Sequence, residues 1–166
     1  MILSFKTKIN GNPTYFPEKI WQGFPDSDSY LEEWFTLGKI YEGYEFHPDA
    51  FGMSPKIHTI RKDEKERWKR GIMIDFFINA RQKDMFRFAP RIPLKSKQRV
   101  FMTYMPHLGN GFEVSINGKQ IYNEEITRLA INDGFDTVEE FENYFIAEME
   151  DDQYSGKILH WTDLRY

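Results

Sequence analysis

The spacing of apolar and polar positions changes along the chain, and each change marks an element. Ile2, Leu3, Ser4 and Phe5 form a short apolar run that predicts a first strand. Pro17 suits the first turn of a helix running through Glu18, Lys19, Ile20 and Trp21 and ending near Gly23. Ser29-x-x-Glu32 is a capping box, followed by Leu31, Trp34 and Phe35 at helical spacing and by Gly38, so a second helix is expected there. Residues 56–61 predict a strand entered from Pro55, 72–80 a buried strand rich in β-branched and aromatic residues, and 98–105 another. Asn117-Gly118 between two alternating runs is a hairpin signal, because both residues tolerate positive φ. Gly109-Asn110-Gly111 also reads as a hairpin turn, since a strand rather than a helix follows it.

From Glu124 the period lengthens to that of a helix: Ile126, Leu129, Ala130 and Asp133 share one stripe, and Gly134 ends it. Asp136-x-x-Glu139 or Thr137-x-x-Glu140 opens another helix, which turns Val138, Phe141, Phe145 and Met149 inward. Lys157 to Trp161 predicts a closing strand. Together these give an α+β fold in which about six mostly antiparallel strands form a barrel-like body with flanking helices. There are no repeats or Gly/Ser linkers, so residues 1–166 read as a single domain.

Composition narrows the function classes. With no cysteine, disulfide frameworks, thiol nucleophiles and thiolate metal sites are excluded, and a cytoplasmic location is the default expectation. The four-residue apolar patch at the N-terminus is broken by Lys6 and Lys8, and no window approaches ~18 apolar residues, so neither export nor a membrane span is expected. The histidines, His47, His58, His107 and His160, show no ligand-type spacing; no metal and no cofactor are expected.

The net charge of −4 hides a strong asymmetry. Residues 56–99 hold 14 Lys/Arg against 5 Asp/Glu, a local +9, whereas residues 124–152 hold 11 acidic side chains against Arg128 alone. Two readings stay open: the basic stretch faces the acidic helices, or it meets phosphates. In the second case Arg87, Arg91, Lys95 and Lys97, interleaved with Phe86, Phe88, Pro90 and Pro93, would line a backbone-tracking groove.

The densest cluster of reactive side chains is the segment from Lys56 through His58 and Thr59 to Arg61. In a regular strand Thr59 and Arg61 share one face and Lys56 and His58 the other, so Lys56 joins Thr59 only if the chain bends after Pro55 or the long lysine stem reaches around from the first residue of the strand. Asp133 stands on the inward stripe near a helix C-terminus, where the macrodipole disfavours a carboxylate; a cation such as Lys56 or Arg61 would compensate it, as would the Gly134 turn.

Lys56-x-x-Thr59-x-Arg61, Gly71 after a charged turn, Ala130-x-x-Asp133-Gly134-Phe135 and the terminal run from Gly156 to Tyr166 together resemble the ASCH family. This resemblance implies a fold similar to the RNA-binding PUA β-barrel, a pocket between barrel and helices, and RNA or a nucleoside or nucleotide as partner. Through Lys56, His58, Thr59 and Arg61 it implies binding of that ligand. It also implies an alternative activity: some bacterial members are amidohydrolases of N4-acetylcytidine that use a Lys, a Thr and a Glu, positions that fall on Lys56, Thr59 and Asp133.

Residues 24–54 depart from the shorter family members. They carry eight aromatics (Phe24, Tyr30, Trp34, Phe35, Tyr41, Tyr44, Phe46 and Phe51), which would pack on the body, cover the pocket or join a second subunit as a homodimer.

Overall fold

The computed structural model describes residues 1–24, 47, 50, 52–108 and 111–166. Strands β1 (Ile2–Phe5), β5 (Met73–Ile78), β6 (Phe86–Arg87) and β7 (Ile92–Pro93) form one sheet centred on β5. A second sheet has the order β10-β9-β8-β11-β4, with β4 His58–Arg61, β8 Ser96–Tyr104, β9 Phe112–Ile116, β10 Lys119–Ile121 and β11 Gln153–His160. β2 (Lys8–Ile9) and β3 (Asn12–Pro13) make a small hairpin. The described helices are α1 (Phe16–Gln22), α2 (Asn123–Asn132) and α3 (Val138–Ala147).

The α+β class and the mostly antiparallel pairing hold, but the closed barrel does not appear: pairing among the described residues gives separate sheets. The strands that the sequence reading missed, β2, β3, β6 and β7, are two residues each, too short to show a period. The β1–β5 pair is parallel and joins residues some seventy positions apart, so no turn signal announces it. The closing strand begins at Gln153 rather than Lys157, because Asp151 and Asp152 both adopt positive φ and turn the chain into it.

Where local chemistry is strong, elements appear as expected. Asn117 and Gly118 (φ 53° and 84°) close the β9–β10 hairpin. Thr137 accepts a hydrogen bond from Glu140 N at 3.1 Å as the N-cap of α3. Pro17 occupies the first turn of α1. The helix expected over 29–38 lies outside the described residues.

Two apolar cores meet at β11. One packs α1 against the first sheet through Phe5, Ile20, Trp21, Ile74, Phe76 and Phe88, and it takes Leu159 from β11 and Trp161 just after it. The other packs α2 and α3 on the second sheet through Val100, Met102, Leu129, Phe141 and Phe145, and it takes Ile158 from β11. Each fully buried Leu, Ile or Phe contributes roughly 1.5–3 kcal/mol. Among the described residues no helix is long and apolar enough to cross a membrane.

Candidate functional site

Residues 55–57 enter β4 by passing between two helix ends. Lys56 N donates to Lys19 O of α1 at 2.9 Å, and Ile57 N donates to Asn132 O of α2 at 3.0 Å. The passage is tight: a Cβ at Gly23 would stand 2.3 Å from Lys56 O. Lys56 is thus fixed outside the regular strand, against helix C-termini that favour a cation.

The end of α2 is built for the lysine. Gly134 (φ +91°) follows the C-cap Asp133; Gly134 N donates to Ile131 O at 2.8 Å and Phe135 N to Ala130 O at 3.1 Å, a Schellman closure. A Cβ on Gly134 would lie 2.9 Å from Lys56 Cδ and 3.1 Å from Phe16 Cε1, so glycine is required by backbone angle and by the lysine stem alike. Lys56 Nζ donates to the Asp133 carbonyl and, at 2.9 Å, to Asp133 Oδ1, and it stands 4.6 Å from the centroid of the Phe16 ring. Ile60 N, on the edge strand β4, donates to the same Oδ1 at 3.2 Å. The carboxylate disfavoured at a helix C-terminus is therefore compensated by a cation and a strand-edge N–H.

Lys56 is 1% exposed and Asp133 4%. Burial draws the lysine pKa down to about 8 against the opposing pull of Asp133. Burial works to raise Asp133, and the Lys56 charge, helped by His58, outweighs it and holds the carboxyl below its usual range. His58, also buried, has Nδ1 3.4 Å from Asp133 Oδ1, outside hydrogen-bond alignment, and Nε2 2.7 Å from Tyr166 Oη. Tyr166 Oη in turn accepts from Asn132 Nδ2 at 2.8 Å. With the tyrosine O–H donated to Nε2, the neutral ring carries its proton on Nδ1, toward the carboxylate. Burial lowers the His58 pKa and so keeps the ring neutral.

Of the expected catalytic set, Lys56 and Asp133 meet. Thr59 is level with Leu159 across the strands and, among the described residues, makes no hydrogen bond to either. Arg61 forms no ion pair with Asp133: it donates to Ser4 O at 2.8 Å, with its guanidinium over the same Phe5 ring that Lys56 Nζ approaches. A cleft of about 130 Å³ beside Gly134 is lined by Phe16, Lys19, Phe135 and Asp136 and not by Lys56. Lys19, a second buried lysine, grips the same turn by donating to Gly134 O at 2.9 Å and to Asp136 Oδ1 at 2.6 Å. Sequence reading placed Lys19 in its helix and gave it no role; its helical position gives no sign of a partner 117 residues away.

Apart from Arg61, which is held on Ser4 O, the residues expected to bind nucleic acid separate into three groups. Lys56, His58 and Thr59 are enclosed. Arg91 pairs with Asp75 at 2.7 Å, and Lys97 pairs with Asp63 and Glu66. Arg87 and Lys95 are half-buried and, among the described residues, have no ion-pair partner. Of the basic stretch 56–99, Lys56 and Lys62 pair with the acidic stretch, at Asp133 and Glu150, whereas no described cation between 81 and 99 pairs with α2 or α3.

The basic feature missed by sequence is the loop between β4 and β5. Asp63 accepts from Arg67 N (2.9 Å) and Trp68 N (3.1 Å), Trp68 sinks into the protein, and Gly71 N donates to Leu94 O at 2.8 Å. These ties present Lys65, Arg67, Lys69 and Arg70 outward, with no ion-pair partner among the described residues. Alternating with buried Asp63 and Trp68, they read in sequence as one solvated charged turn.

Among the described residues no three His, Cys, Asp or Glu side chains are grouped to hold a metal ion. Phe24 packs into the first core, whereas Tyr30, Trp34, Phe35, Tyr41, Tyr44, Phe46 and Phe51 lie outside the described residues, and the lid and homodimer expectations with them. Compared with protein-family models, curated proteins and solved structures, the chain matches none.

Proposed function

We propose that this chain is an ASCH-type, PUA-like module that binds RNA or a nucleotide-bearing ligand through its phosphates. The observation that carries the reading is the braced loop 63–71, whose four outward cations are left without acidic partners among the described residues. Exposed cations on a braced backbone suit phosphate contacts, since no ion pair among the described residues must be broken on binding. Lys95 lies beside the loop through the Gly71–Leu94 hydrogen bond and extends the same basic edge.

Fluorescence anisotropy with a short single-stranded RNA, titrated over salt, tests it. Lys69→Glu with Arg70→Glu is expected to weaken binding at least tenfold and to flatten the log–log salt slope by about two. Absence of binding at low salt, or binding indifferent to the double substitution, overturns the reading.

The Lys56–Asp133 pair favours a second reading, an amidohydrolase acting on an N4-acylated cytidine or a related small amide. A lysine whose pKa lies near 8 supplies free amine close to neutrality, and Asp133 stands within proton-transfer distance. Turnover of N4-acetylcytidine that disappears in a folded Lys56→Met variant supports it; no turnover by the parent chain removes it.

A further inference from the structure

Three polar side chains align across the second sheet. His160 of β11 is the direct partner of His58 on β4 and of Ser96 on β8, so the pleat puts all three on one face. The two imidazoles are fully buried with centroids 5.4 Å apart. Both His160 ring nitrogens, His58 Nδ1 and Ser96 Oγ are buried without a hydrogen-bond partner among the described residues.

The segment after β11 folds back over this row. Gln98, one step along the same face of β8, donates its amide to Tyr166 O at 2.8 Å and accepts from Tyr166 N at 3.0 Å. The Tyr166 ring lies against both imidazoles, with centroids 5.5 Å from His58 and 6.1 Å from His160, and its hydroxyl joins Asn132 and His58. The hold on residues 162–166 is therefore a few hydrogen bonds and one ring.

We propose that residues 162–166 form an acid-released latch over the His58–His160 row, and that its release opens the way to the Lys56–Asp133 pair behind His58. Among the described residues, the charged and titratable groups acting on the rings are Lys56 and Asp133 on His58, and Arg165, Asp133 and His58 itself on His160, while Arg128 of α2 acts on the Tyr166 hydroxyl of the latch. The Asp133 carboxylate faces two cations, Lys56 and Arg165, before either imidazole charges. Two added protons place further like charge in a space that water does not reach, whereas the open latch hydrates both rings and returns them to their ordinary pKa of about 6.5. Burial, with His58 beside it, holds His160 down to about 3 while the latch is shut. The inference stands apart from the phosphate-binding reading, since the braced loop takes no part in it.

Backbone NMR on the full ¹⁵N-labelled chain, lowered from about pH 7.5 to about pH 5, tests it. The {¹H}–¹⁵N NOE of residues 163–166 is expected to fall to mobile values while the dispersion of α2, α3 and β8 persists. The C2-proton shifts of His58 and His160 should titrate with the same midpoint. His160→Phe should move that midpoint to lower pH, and Tyr166→Ala should free the segment at neutral pH. A segment that stays rigid until the whole chain unfolds, ring titration without release, or release without ring titration each overturns the latch.

Discussion

Lys56 and Asp133, 77 positions apart, are joined twice, through the Asp133 carbonyl and at 2.9 Å through its carboxylate, and the lysine stem passes where any side chain on residue 134 would stand. One interaction caps a helix end, covers a strand edge and holds the lysine whose pKa, among the described residues, is drawn down by burial.

Breaking this pair from either side leaves a buried charge. Asp133→Asn and Lys56→Met are each expected to cost about 3–5 kcal/mol, and the double variant much less than their sum, by urea unfolding. Additive losses would show that the two groups act independently.

Gly134 and Gly118 share a positive φ but differ in surroundings: nothing lies within 4 Å of a Cβ on Gly118, whereas Gly134 faces Lys56 and Phe16. Gly118→Ala should cost about 1 kcal/mol, the backbone penalty alone. Gly134→Ala should cost at least twice that in the same measurement, and equal costs would remove the packing role.

On the alkaline side the sign of the Lys56 contribution is set by its folded pKa of about 8 against 10.5 in the unfolded chain. Between those values the unfolded chain holds a proton that the folded one has released, so stability rises with pH there. Wild type should gain on Lys56→Met by up to about 1.4 kcal/mol per pH unit between pH 8 and pH 10. A constant difference would show that the folded lysine titrates normally.

Asp63 braces the basic loop without facing solvent. Asp63→Ala frees two backbone N–H groups and should cost about 1–3 kcal/mol. Protease cleavage between Lys65 and Arg70 should quicken, and RNA affinity should fall although no cation is lost; an unchanged cleavage rate would show the loop is held elsewhere.

Much of the secondary structure was legible because its determinants are local. The Asn117-Gly118 turn, the Thr137 cap and the stripe of Ile126, Leu129, Ala130 and Asp133 each depend on residues within one or two turns of each other. The same stripe exposed the anomaly of a carboxylate turned inward at a helix C-terminus, and so pointed to a cationic partner. The split between Lys56 and Thr59 was also readable, from strand alternation.

Which cation answered Asp133 was decided by tertiary structure, because several lysines and arginines had the right chemistry and only the path of residues 55–57 between two helix ends selected Lys56. Lys19, Gln98, Asn132 and Tyr166 had no legible role, since their partners are 34 to 117 residues away. Local sequence set turns, caps and periods through short-range backbone sterics and hydrogen bonding. Burial, pairing and the pKa of the lysine followed from long-range packing, which brings distant polar groups into a space where each must find its partner.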